Sequence, residues 1–303
     1  MNLQSIWSAL EESYGVCNDT SAPAIEKFAE ENHLSAGYWS WVPAIILFPD
    51  EPISSAQWMR IFPYGIPQTI NERLSSAAEG GYLVADGEGF HSTEKGKVVA
   101  HQGLQAITNG IAHLHPLPPN DLQRPVDYLI RLSDASFAAP EPPPKFCLTH
   151  YRNYKSTFDN TAPLIRLFVH YFKELDFYRM DSHMAARRIH NIEGNRWEVF
   201  SEVWLGRFNT LDKLYDELKS RGITREEYAY ILNELVERGW IRENAGTYQV
   251  TVEGKRIRNE AEALTNQYFF APWSCLNESE LEELASLATQ LRDGLGGCKI
   301  VHR

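Results

Sequence analysis

Positive charge is in short supply in this chain. Its 303 residues hold 29 Lys and Arg against 40 Asp and Glu, a net charge of −11. Nucleic-acid binders usually present a basic face, so any such face here must be local. Cysteine is scarce as well. Cys17, Cys147, Cys275 and Cys298 are scattered without a Cys-x-x-Cys pair, which argues against a disulfide framework and for reduced thiols. The longest apolar run, Val42 to Phe48, is far too short to span a membrane. The opening MNLQSIWSALEESYG lacks the basic flank and apolar core of a secretory signal. A cytoplasmic location is therefore expected. GxSxG, a phosphate-binding glycine loop, HExxH and a dinucleotide fingerprint are all missing. Neither an enzyme nor a cofactor is expected. Asp86-Gly87-Glu88-Gly89 is too short for a calcium loop.

What is present is a soluble composition, 43% hydrophobic and 23% charged, in a length that suits two domains. The most legible stretch runs from Ile223 to Arg258. Tyr228, Ile231, Leu232, Leu235 and Val236 recur at helical spacing. Gly239 stops that helix, where a left-handed residue costs glycine little. Trp240-Ile241 and Tyr248-Gln249-Val250 read as strands around the turn Asn244-Ala245-Gly246. Thr251 can cap the helix that follows.

The same pattern occurs upstream. Gly239 follows Gly81 by 158 residues, and Lys255 follows Lys97 by 158. Glu79, Tyr82, Leu83, Phe90, Thr93 and Gly96 fall on Glu237, Trp240, Ile241, Tyr248, Thr251 and Gly254. Farther upstream, Trp39 falls on Trp197, Leu47 on Leu205 and Ile53 on Leu211, with no gap. The reading is an old duplication, in which residues 36–113 and 194–271 share one fold.

Around these copies the pattern predicts more helices. One weak stripe holds Trp7, Leu10 and Tyr14, and Pro23 can open a second helix toward Leu34. Tyr38 to Phe48 reads as a buried helix, Ser54 as a cap, and Pro67 as the first turn of a recognition-type helix. Lys95–His113, Asp121–Ser136, Thr161–Phe177, Phe177–Ile192, Trp197–Phe208 and Leu211–Arg221 follow. Asn277 caps a last helix, Ser279–Arg292, ahead of a loose tail from Gly294. Ala138 to Lys145, AAPEPPPK, is a proline-rich linker. The domains are thus 1–137 and 146–303, joined by 138–145.

The order helix, helix, recognition helix, wing, long helix, with ERGWI and then TVEGKRIR, resembles the MarR-type winged-helix regulators, whose matching segment reads LExxGLI…LTxxG. The runs FYRMDSHMAARRIH and EAEALTNQYFFAPWSCL are similar to a group of bacterial winged-helix proteins. The resemblance implies a mainly α fold with small β-hairpin wings: two tandem winged-helix domains in pseudo-twofold arrangement, with the terminal helices of each copy packed together. The chain is then a monomer with pseudo-dimer symmetry or a homodimer. It implies double-stranded DNA as partner, and a small apolar effector held near aromatics such as Phe168, Tyr171, Phe172 and Tyr178. Core packing is the competing reading of those aromatics. The family's wing arginine is not matched: the first tip is acidic, with Asp86 and Glu88, and the second is nearly neutral.

The expected function is a transcription regulator. The candidate DNA contacts in the second copy are Thr224, Arg225, Tyr230, Asn233, Arg242, Lys255 and Arg256, with Arg238 and Arg258 adding charge. In the first copy they are Gln68, Thr69, Asn71, Arg73 and Lys97, with Lys95 beside them. The contrasting reading is a winged-helix interaction or ligand-binding module that has lost its basic surface. His183 and His190 can share a helix face with Asp181 near, but a zinc site needs more ligands.

Overall fold

The computed structural model describes residues 2–35, 37–87, 89–142, 144–157 and 162–296, the side chains of Trp39, Ser156 and Thr157 excepted. Glu88, the expected helix start at Thr161, Cys298 and the expected tail beyond residue 296 lie outside the described residues. Helix α1 (Leu3–Glu31) opens at Asn2, whose side chain accepts from Gln4 N at 3.1 Å. The expected break at Pro23 does not occur. Ile6, Leu10, Cys17, Ser21, Ile25 and Phe28 carry one buried stripe through the proline, and tertiary packing outweighs the lost hydrogen bond.

A helix–helix–helix–hairpin–helix order then appears. It comprises α2 (Val42–Leu47), α3 (Ser55–Ile61), α4 (Pro67–Glu79), strands β1 (Leu83–Asp86) and β2 (Gly89–Ser92), and α5 (Glu94–Ile111). The helix expected over Tyr38–Phe48 divides into a 3-10 turn at Tyr38–Ser40 and α2. Pro43 sits in the first turn of α2, where its missing N–H costs nothing, and it stops the helix from continuing backward. Next come α6 (Pro119–Ala138), α7 (Phe146–Tyr151), a 3-10 turn at Arg152–Thr157, and α8 (Leu164–Arg188). The two helices expected between Thr161 and Ile192 are one, α8. The order then recurs as α9 (Gly194–Leu205), α10 (Leu211–Leu218) with a 3-10 extension at Lys219–Arg221, α11 (Arg225–Glu237), β3 (Ile241–Asn244), β4 (Thr247–Val250) and α12 (Val252–Phe270). Helix α13 (Glu278–Gly296) follows, with Asn277 Oδ1 accepting from Glu280 N at 3.0 Å; the tail expected from Gly294 does not begin there, because burial of Leu295 carries the helix on to Gly296.

From α4 onward the two runs match residue for residue at a separation of 158. Thr93 Oγ donates to the carbonyls of Gly81 and Tyr82 at 2.8 and 3.0 Å, and Thr251 Oγ donates to those of Gly239 and Trp240 at 2.6 and 3.1 Å. Each threonine also accepts at 3.0 Å from the glycine N–H three residues on, Gly96 or Gly254. A Cβ on Gly96 would lie 2.1 Å from the Tyr82 carbonyl, and one on Gly254 2.0 Å from that of Trp240.

Upstream of α4 the gap-free comparison fails. Phe90 N donates to Ile53 O at 3.0 Å, and its counterpart Tyr248 N donates to Asn209 O at 2.8 Å. The caps Ser54 and Thr210 are likewise 156 residues apart. Ile53 therefore corresponds to Asn209 and not to Leu211. The loop before α3 is two residues longer than the loop before α10. Helix α10 and the connection that follows it are each one residue longer than α3 and its connection, so the shifts cancel.

Three cores result. Trp41, Ile45, Trp58, Ile61, Leu74 and Leu83 fill the first unit. Trp197, Phe200, Leu214, Tyr228, Leu232, Trp240 and Ile257 fill the second. A bundle of α1, α6, α8, α12 and α13 holds the third, with Trp7, Leu10, Leu129, Phe172, Phe269, Trp273 and Leu291 at its centre. The terminal helices α1 and α13 thus pack together, and Arg292 reaches Glu12 at 3.7 Å. The residues after the proline-rich segment do not keep to the second half, as the expected start at 146 would require. Cys147, Tyr151 and Tyr154 complete the first unit's core. There Asp181, on α8, accepts from Cys147 N and Leu148 N at 2.9 Å each and so caps α7. Cys17 and Cys147 are buried, and Cys275 is exposed.

Candidate nucleic-acid interface

Helix α11 stands out from the second unit because its apolar stripe is short and one-sided. Tyr228, Ile231, Leu232 and Leu235 are buried, Tyr230 and Asn233 between them turn outward, and Ala229 and Glu234 are half-buried. Thr224 begins the helix with a reciprocal cap: Glu227 N donates to Thr224 Oγ at 3.2 Å, and Thr224 N donates to Glu227 Oε2 at 2.7 Å. Thr224 is therefore committed to starting the helix. Tyr228 OH donates to Leu218 O at 3.1 Å and ties α11 to α10. Tyr230 is 64% exposed at mid-helix, and Arg225 and Asn233 are exposed as well.

The basic residues of this face mostly carry carboxylate partners. Arg225 Nε and Nη2 donate to Asp212 Oδ1 at 3.0 and 2.7 Å. Arg256 pairs with Glu253 at 2.6 Å and Glu260 at 2.5 Å, and its hydrogen bonds hold the Glu253 carboxyl below the usual range. Arg238 pairs with Glu234 at 2.9 Å, and Arg196 reaches the same carboxylate at 2.6 Å. Partial burial works against ionisation of Glu234, but the two arginines still hold it below the usual range. Arg242 donates to Gln249 Oε1 at 2.9 Å across the hairpin. Lys255 is exposed one turn into α12.

Two expected charges are spent elsewhere. Arg258 is 7% exposed, pairs with Glu262 at 3.0 Å and lies 4.7 Å from the Trp204 ring centre. It belongs to the stripe of Gly254, Ile257 and Ala261. Lys95 donates to Gly80 O at 2.7 Å and lies over Tyr82 at 4.2 Å, so it caps α4.

In the first unit, Lys97 pairs with Glu94 at 2.8 Å, Gln68 donates to Glu72 at 2.9 Å, and Asn71 is exposed. Thr69 and Arg73 face the second unit. Arg73 Nη2 donates to Ser220 O at 2.9 Å and Nη1 to Ser40 Oγ at 3.1 Å. The Thr69 hydroxyl fills the place of a side chain on Gly222, where a Cβ would lie 2.0 Å from it. The N-terminal part of α4 thus meets the turn that precedes α11. Asp212 was not among the expected residues, although its place in the first turn of a Thr210-capped helix is a readable signal.

The aromatics named for an effector are packed. Trp7 stacks on Phe172 at 4.7 Å, Tyr14 stacks on the same Phe172 ring at 4.7 Å, and Tyr178 lies 6.1 Å from Phe269. His183 and His190 both sit against Trp197, and no cluster of metal-ligating residues occurs among the described residues. No described helix is long and apolar enough to cross a membrane.

Residues 162–299 match the model of a helix-turn-helix family. That span contains α8 to α13 and so all of the second unit. The chain therefore carries a helix-turn-helix domain. No characterised protein and no solved structure matches the chain.

Proposed function

We propose that the protein is a cytoplasmic DNA-binding transcription regulator that reads its target with α11 and braces on phosphate with the hairpin β3–β4 and the start of α12. The observation that carries this reading is the capped, outward-facing α11 inside the matched helix-turn-helix span. Tyr230, Asn233 and Arg225 are the side chains offered to base edges, and Arg242, Lys255 and Arg256 those offered to phosphate. The ion pairs at Arg225 and Arg256 are exposed, and exposed pairs contribute only about 0–1 kcal/mol. Exchanging a carboxylate for a phosphate there costs little. The winged-helix description, the MarR-type kinship and the duplication belong to the same proposal. The repeated threonine–glycine joints support the duplication, and the ERGWI and TVEGKRIR segments support the kinship.

One observation favours the second reading, a helix-turn-helix unit that serves as an interaction module. It is the matching of the interface arginines by acidic neighbours in a chain of net charge −11. Selection from genomic fragments with the purified protein, followed by fluorescence-anisotropy titration at two salt concentrations, separates the two. The regulator reading expects enrichment of a sequence and binding that weakens steeply with salt. Absence of binding at low salt leaves the interaction module.

A further inference from the structure

The contact between the two units is built around glycines of the second. Gly222 has φ +83°, and a Cβ on it would overlap the Thr69 hydroxyl at 2.0 Å. Gly194, the first residue of α9, is as tightly placed: its Cβ would lie 2.1 Å from Pro63 O. Arg73 reaches across to Ser220 O while Ser40 Oγ steadies the same guanidinium. Arg221 is bonded to Glu198 at 2.8 Å and lies 5.7 Å from the Tyr64 ring. Ile66, which precedes α4, packs on the core of the second unit. The seam therefore grips the second unit at the start of α9 and at the start of α11.

We propose that α4 is a positioning element for α11. This rests on the reading of α11 as the DNA-contacting helix. In a reading helix the N-terminal residues enter the groove. In α4 two of the polar residues there, Thr69 and, one turn on, Arg73, are engaged with the Ser220–Gly222 turn, while Gln68 and Asn71 stay exposed. The second unit alone reads, and the first sets the angle at which α11 leaves its turn. Thr69 and Arg73 are positioning residues that act through the backbone of Ser220 and Gly222.

The test uses the full chain with Thr69→Phe, which overfills the notch from the α4 side, and Arg73→Ala, which removes the bond to Ser220. Hydrogen exchange followed by mass spectrometry reports on the peptide spanning residues 222–232, and a peptide from α2 serves as internal control. The expected result is exchange about tenfold faster in residues 222–232 with the α2 peptide unchanged, and recovery of protection in Arg73→Lys, whose ammonium can still reach the Ser220 carbonyl. In parallel, the fragment selected by wild type should bind each weakened variant about tenfold less tightly. Exchange in residues 222–232 that stays at the wild-type rate in both variants overturns the proposal, whatever the DNA result. If wild type binds no DNA, the regulator reading fails by itself, and the exchange data still decide whether α4 holds α11. A variant that loses protection everywhere has unfolded. Thr69→Leu, a smaller wedge, then replaces Thr69→Phe, and wild-type exchange in residues 222–232 of that variant counts against the proposal.

Discussion

The indole Nε1 of Trp197 donates a 2.9 Å hydrogen bond to Nε2 of His183. The imidazole must accept at that nitrogen, so its proton resides on Nδ1. The bond joins α8 of the central bundle to α9 of the second unit, and Trp197 is 1% exposed in that unit's core.

This pair makes stability depend on pH. Burial, then Arg258, pushes the His183 imidazole down to about 4, while Glu262 opposes. In the unfolded chain a histidine titrates near 6.5. Between these values the unfolded chain takes up a proton and the folded chain does not. The contribution is complete above about 6.5 and is lost as pH falls to about 4, on the order of 3 kcal/mol. Burial pushes Asp181 up to about 6 against its two backbone donors, so it acts in the opposite direction over part of the window. The difference between wild type and His183→Gln, which keeps an acceptor but does not titrate, isolates the histidine. Urea melts at pH 7 and pH 4.5 should show the wild-type advantage shrinking or reversing at the lower value. An advantage that does not vary with pH would sink the assignment.

Trp240 anchors the hairpin to the second core. It is 8% exposed and its ring lies 5.0 Å from Phe200. Trp240→Ala should destabilise the protein by about 3–5 kcal/mol. A near-neutral shift in a denaturant titration would place Trp240 outside the core.

DNA recognition by α11 predicts two kinds of variant. Arg225→Ala should cost about 1–3 kcal/mol of sequence preference if the guanidinium reads a base edge. Lys255→Ala should weaken binding to every sequence alike and flatten the salt dependence. Anisotropy titrations of both proteins on selected and scrambled fragments provide the comparison. Identical losses on the two fragments for Arg225→Ala would remove it from base reading.

Asp212 tests the competition between carboxylate and phosphate. It holds Arg225 at 2.7 Å on the exposed face. Asp212→Asn removes a negative charge beside the proposed phosphate path and frees the guanidinium, so DNA binding should tighten by roughly 0.5–1 kcal/mol. Weaker binding in this variant would mean that the pair presents Arg225 to the DNA and does not restrain it.

The second unit was legible because its signals are local. The Tyr228 to Leu235 stripe, the Gly239 stop and the Thr251 cap lie within a few residues of what they act on. The seam was not legible. The partner of Arg73 lies 147 residues away and is a backbone carbonyl, and no periodicity reports that. Thr69 and Arg73 therefore read as candidate DNA contacts, because a polar side chain on a recognition-type helix looks the same whether it faces DNA or protein. Arg258 differs for another reason: its charge groups it with Lys255 and Arg256, but helical spacing sets it with Gly254 and Ala261 on the buried face. The two-residue shift before α3 is invisible in a gap-free comparison because one extra residue in α10 and one in the connection to α11 restore the count.

The paired strand-to-helix joints also say something about how such units can be found. Gly81 and Gly239 each stand 12 residues before a threonine that donates to their carbonyl, and that threonine stands three before a glycine pressed against backbone. All three positions act through main-chain atoms and geometry, so the surface charge of a hairpin can change, as it does from Asp86 to its counterpart Asn244 and from Val84 to Arg242, without disturbing them. A search for glycine, threonine and glycine at this spacing would detect the joint in sequences whose charge and hydrophobic patterns have drifted beyond comparison.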